Sequence, residues 1–183
     1  MESRNRGKMI LIIKTNKESL HELEFVKPIE DILSKSKIEF KSIHYDNLTK
    51  KDLENSDKIV ISGTSLKDNQ FLEDLNKFEW IKEFQKPILG ICSGMQIIGL
   101  TFGSKIKKQT EIGQQKISFK KEFLGLNSEV NVYMLHNNSI NLPKDFVEFT
   151  DSKFPKAIKH KSKEIYGVLF HPEVFNKEMI LNF

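Results

Sequence analysis

The chain has 183 residues, of which 38% are hydrophobic and 30% charged, with a formal net charge of +4. That length suits one domain with a real core, and the composition excludes a disordered or fibrous chain. No apolar run approaches the roughly 20 residues that cross a bilayer, and a single cysteine excludes an internal disulfide, so a cytoplasmic setting is expected.

Residues 1–8 are polar and read as a flexible tail. They hold the only arginines, Arg4 and Arg6; the other basic residues are lysines spread along the chain. Nucleic-acid surfaces draw on arginine for bidentate contacts, so neither nucleic acid nor membrane is expected as a partner. Residues 9–14 (Met-Ile-Leu-Ile-Ile-Lys) predict a strand buried on both faces. Residues 19–34 place Leu20, Leu23, Val26, Ile29, Ile32 and Leu33 at helical spacing, with Pro28 marking a kink or a late start. Residues 39–45 alternate as a second strand. Thr49 and Asp52 open a short helix with a capping-box pattern. Residues 58–62 form a third strand and run into Ser62-Gly63-Thr64-Ser65. Residues 71–84 read as an amphipathic helix.

Residues 86–100 organise the rest. Ile88–Ile91 is a short buried strand, Cys92 a sharp turn, and Ser93 the start of a helix that ends at Phe102-Gly103. Cys92 lies between Gly90 and Gly94, the pattern of a nucleophile elbow. A helix N-terminus favours a thiolate, which is the nucleophile, and the Ser93 N–H is placed for an oxyanion. On these residues alone, a buried structural cysteine is an equal alternative.

Beyond residue 105 the texture changes. Residues 113–120, 129–134, 146–150, 157–160 and 165–170 predict strands with short turns, and 176–183 a closing helix. The last strand runs into His171-Pro172-Glu173. In extended backbone, residues two apart point the same way, so Glu173 is expected to hold the His171 ring while its other nitrogen faces a thiol. No metal-ligand spacing and no phosphate loop after the first strand are found, so no cofactor is expected. The alternation predicts an α/β fold: a doubly wound, mostly parallel sheet with flanking helices and a small antiparallel extension, in one domain over 1–183. The carboxyl edge of such a sheet would gather Gly63, Cys92 and His171.

Gly-x-Cys-x-Gly-x-Gln at 90–96 together with the late His171-Pro172-Glu173 resembles the class I glutamine amidotransferases, the triad glutaminases. The resemblance implies glutamine as substrate, a γ-glutamyl thioester on Cys92, His171 and Glu173 as its catalytic partners, and ammonia passed to an acceptor. It implies backbone oxyanion donors at Gly63 and Ser93, and substrate contacts from Gly63, Thr64 and Gln96. The family's Ser-Gly-Gly-Pro is here Ser62-Gly63-Thr64-Ser65. Residues 132–138 and 157–174 look like the separate glutaminase subunit of GMP synthetase found in archaea, whose partner is a synthetase subunit of the ATP-pyrophosphatase type. There, Leu135-His136-Asn137-Asn138 replaces the usual Ser-His-Gly-Asp, so His136 and Asn137 are substrate or partner candidates, with a hydrogen-bonded loop histidine equally open. Met95 stands where histidine is common and Leu169 where glutamine is common. Two other functions fit the same residues: a stand-alone γ-glutamyl amide hydrolase, and a non-catalytic regulatory subunit of a synthetase.

Overall fold

The computed structural model describes residues 9–183, so the expected tail at residues 1–8 lies outside the described residues. β1 (Ile10–Lys14) is the apolar run that opens the chain. It sits inside the sheet, parallel to both β2 (Phe40–His44) and β3 (Lys58–Ile61). β4 (Ile88–Ile91) pairs in parallel with β3. A long hairpin, β5 (Ile106–Phe123) with β6 (Leu126–Ile140), forms a separate two-stranded sheet. β7 (Phe146–Glu148), β8 (Ala157–His160) and β9 (Ile165–Val168) return to the main sheet, giving the order β2-β1-β3-β4-β9-β8-β7. β9 runs parallel to β4, and β8 and β7 are antiparallel.

Successive strand residues point to opposite faces, so each apolar run feeds two cores. Ile10, Ile12, Val60 and Leu89 pack with Ile29 and Leu33 of α2 (Lys27–Lys35) and with Val132 and Met134 of the hairpin. Leu11, Ile13, Ile59 and Ile61 pack on the other face with Phe71, Phe78 and Ile81 and with Ile97 and Ile98 of α4 (Ser93–Thr101). Among the described residues, no helix is long and apolar enough to cross a membrane.

Three expectations are corrected. The helix expected over 19–34 is broken into a 3₁₀ turn (Ser19–His21), α1 (Glu22–Phe25) and α2. Pro28 falls in the first turn of α2, where its missing N–H costs nothing, so the helix restarts there. Leu20 and Leu23 are thereby left 72% and 64% exposed. The helix expected over 71–84 is two 3₁₀ segments, Gln70–Leu72 and Leu75–Lys82. Leu75, Phe78, Ile81 and Phe84 recur every three residues, and at 3.0 residues per turn such side chains line one face. The hairpin strands outrun the expected 113–120 and 129–134, because residues such as Lys107, Lys108 and Gln109 carry no apolar signal. Leu124 and Gly125, both at positive φ, close the hairpin as a tight two-residue turn. α3 (Lys50–Asn55) opens with the expected capping box between Thr49 and Asp52.

Candidate active site

The carboxyl ends of β1, β3, β4 and β9 open on one edge, and residues just beyond them build the site. Cys92 follows β4 with φ 52° and ψ −104°, in the positive-φ region an L residue rarely enters. Such a conformation costs about 1–3 kcal/mol and persists only where its surroundings fix it. Here the Cys92 N–H donates to the Val168 carbonyl at 2.7 Å. The flanking glycines allow the close approach. A Cβ on Gly94 would stand 2.3 Å from the Ile61 carbonyl oxygen, and one on Gly90 would stand 2.5 Å from Gly94 backbone. The Cys92 Sγ donates to the Leu135 carbonyl of β6 at 3.5 Å.

His171 Nδ1 bonds Glu173 Oε1 at 2.7 Å, and both side chains are buried. The pairing arises differently from the expected extended strand. β9 stops at Val168, and Pro172 starts a single turn, α5 (Pro172–Phe175), so Glu173 folds back onto His171 from a helix start. The Phe25 ring packs 5.4 Å from the His171 ring, and the His171 N–H donates to the Tyr133 carbonyl at 2.8 Å. Nε2 has no hydrogen-bond partner among the described residues. Burial opposes a charge on this ring, but the Glu173 carboxylate and the Cys92 sulfur overcome it and hold the His171 pKa well above the usual histidine value.

Gly63 faces this pair. A Cβ there would lie 2.8 Å from His171 Cε1 and 3.4 Å from Cys92 Cβ. Thr15, just past β1, was not a sequence candidate. Its hydroxyl bridges the Ser62 carbonyl at 3.1 Å and the Ser93 Oγ at 3.1 Å, and Ser93 Oγ also donates to the Ser62 carbonyl. A trans peptide points its C=O and N–H in opposite directions, so fixing the Ser62 carbonyl fixes the Gly63 N–H on the other side. Ser93 opens α4, so its own N–H has no intrahelical acceptor. The signal for Thr15 was its place at the carboxyl end of a central strand.

The remaining candidates cluster on β6 and its neighbours. Gln96 Nε2 donates to the Asn138 carbonyl at 3.0 Å. Thr64 Oγ1 donates to Asp68 at 2.9 Å. His136 is in a strand, not a loop. Its Nδ1 lies 3.0 Å from the Gln109 carbonyl and its Nε2 3.2 Å from Glu111, which also pairs with Lys156 at 2.9 Å. Burial pushes the His136 pKa down against the pull of Glu111. Asn137 Nδ2 donates to the Leu66 carbonyl at 3.1 Å. The cavity bordered by Cys92, Gln96, Thr64 and Asn137 is only about 20 Å³. A far larger groove of about 900 Å³, lined by Tyr45, Leu53, Trp80 and Phe84, contains none of these candidates.

Residues 21–181 match the glutamine amidotransferase class-I family. The chain belongs to that family. Over 151 residues it is 34% identical to a subunit of the glutamine-hydrolyzing GMP synthase of Thermoplasma acidophilum, covering 75% of this amidotransferase and 76% of that protein. It is 40% identical over 108 residues to the glutamine-hydrolyzing GMP synthase of Staphylococcus saprophyticus, covering 53% of this chain but 21% of that longer protein. In structure it is similar to a Thermoplasma acidophilum protein provisionally described as a GMP synthase subunit, with TM-score 0.84 at 28% identity, over 96% of this chain and 92% of that one. A glutamine amidotransferase from Thermotoga maritima shares the fold at TM-score 0.72 and 21% identity, over 91% and 76%. The departures from the family pattern at Met95 and Leu169 are both fully buried in one apolar cluster, where a thioether and a leucine pack without an unmet hydrogen bond.

Proposed function

We propose that this amidotransferase hydrolyses glutamine to glutamate and ammonia on a Cys92–His171–Glu173 triad and supplies the ammonia to a separate synthetase subunit of the ATP-pyrophosphatase type, that of GMP synthetase. The observation that carries the triad is His171, held by Glu173 through Nδ1 and left with an unpartnered Nε2 beside a cysteine at a strained elbow. The Cys92 thiolate attacks the γ-carboxamide carbon of glutamine, and the oxyanion forms toward the backbone N–H groups of Gly63 and Ser93. His171 gives its proton to the leaving nitrogen, which departs as ammonia and leaves a γ-glutamyl thioester. Water then attacks the thioester carbon; His171 takes the water's proton, and Cys92 leaves as thiolate with glutamate released. The names of the relatives that are subunits of glutamine-hydrolyzing GMP synthases support the synthetase partner.

Glutamate release is measured with the purified chain, with and without the ATP-pyrophosphatase subunit of GMP synthetase. Release that depends on Cys92 and rises with that subunit is expected. Folded protein that releases nothing in either mixture overturns the assignment.

Glu173→Gln gives a second check. The carboxylate is the largest influence raising the His171 pKa. A neutral amide removes it, so the imidazolium that must protonate the leaving ammonia is lost at lower pH. The alkaline limb of the kcat/KM profile is expected to move to lower pH, with kcat falling. An unmoved limb shows that Glu173 does not set the charge on His171.

A further inference from the structure

Residues on opposite sides of the cavity at Cys92 are bonded to one another across it. From β6, Asn137 Nδ2 donates to the Leu66 carbonyl at 3.1 Å, and Asn138 Nδ2 reaches Asn69 Oδ1 at 3.4 Å. Both bonds cross the cavity at Cys92 to the strap 64–69. Thr110 Oγ1 donates to Asn137 Oδ1 at 3.1 Å and so aims the amide. Thr110 sits where the β5–β6 register shifts between Lys108 and Glu111. The strap is secured on its far side, where Asp68 accepts from the Lys17 N–H at 2.6 Å, and it is braced internally by the bond from Thr64 Oγ1 to Asp68. The cavity left between strap and β6 is about 20 Å³, room for about one water. That is less enclosed space than a glutamine side chain, with two methylenes and a carboxamide, would fill beside Cys92.

We propose that Asn137 and Asn138 latch the strap 64–69 across the catalytic cysteine, so that the free chain rests closed and glutamine enters only when strap and β6 part. The strap stays with residue 17 through Asp68, and the separation runs along the Asn137–Leu66 and Asn138–Asn69 bonds. The proposal rests on the glutaminase assignment for its substrate, and thiol access tests it without that substrate.

Cys92 is the only cysteine, so its alkylation by iodoacetamide is read directly from the mass of the whole chain. When opening is fast, this rate follows the open population. The double variant Asn137→Ala/Asn69→Ala loses both latch bonds and is expected to alkylate roughly tenfold faster than wild type. Asn141→Ala is the control: it loses the hairpin bond to the Lys105 N–H, away from the cavity, and is expected to alkylate at the wild-type rate. The latch is overturned if the double variant alkylates no faster than wild type, or if Asn141→Ala accelerates equally. Faster alkylation with no glutamate release from any form keeps the latch and overturns the glutaminase. Cys92-dependent glutamate release with unchanged alkylation keeps the glutaminase and overturns the latch.

Discussion

Cys92→Ala is expected to lower kcat/KM for glutamine by about 10⁴-fold or more, because it removes the group proposed to form the covalent intermediate. No neighbour can take its place. The nearest hydroxyl in sequence, Ser93 Oγ, donates to the Ser62 carbonyl and touches the Thr15 hydroxyl, so it is tied into the floor of the site. The chain has no second cysteine. The folded state loses little, since alanine and cysteine meet the same backbone penalty at φ 52° and the lost thiol bond to the Leu135 carbonyl is a weak one. Melting temperature should therefore stay near wild type while glutamate release disappears. His171→Ala should be nearly as damaging, and the double variant no worse than the worse single, because residues that act as one unit do not add. Glutamate release that survives in Cys92→Ala would remove the thioester from the mechanism.

The parts legible in the sequence were those fixed by short-range rules. The apolar runs at β1, β3 and β4 announce strands buried on two faces, and Gly90-Ile91-Cys92-Ser93-Gly94 announces the elbow. Each needs only its own residues to be read. The parts that were not legible depend on partners far along the chain. The 3₁₀ segment Leu75–Lys82 carries a three-residue apolar period that is easily taken for 3.6 over so short a stretch. Residues 107–111 of β5 are all polar, so no local pattern announces that this end of the strand pairs with β6, where Glu111 meets His136. Glu173 was correctly paired with His171 but for the wrong local reason, a helical start in place of an extended strand. Thr15 and Asn138 enter the site through bonds to residues 42 or more positions away, which no local pattern encodes.

Gly94→Ala is expected to destabilise the fold by about 3 kcal/mol and to remove most of the glutaminase activity. The added Cβ would sit 2.3 Å from the Ile61 carbonyl oxygen and 3.1 Å from Ile61 Cβ. That oxygen belongs to β3, a strand inside the sheet with β1 on one side and β4 on the other, so it cannot turn aside. The helix α4 has to move instead, and its first residues are Cys92 as the N-cap and Ser93, the proposed nucleophile and a proposed oxyanion donor. Gly99→Ala, on the same helix, is the discriminating comparison. Its Cβ would come within 2.2 Å of Ile140 Cδ1, the far end of a flexible side chain that can change rotamer. Alanine also gains about 1 kcal/mol of helix propensity over glycine. Gly99→Ala is therefore expected to shift the urea midpoint little and to leave kcat/KM within a few-fold of wild type. Similar losses in the two variants would mean that crowding anywhere along α4 disturbs the elbow. A loss confined to Gly94→Ala locates the constraint at the contact between the helix start and β3, the contact that holds Cys92 in its strained turn.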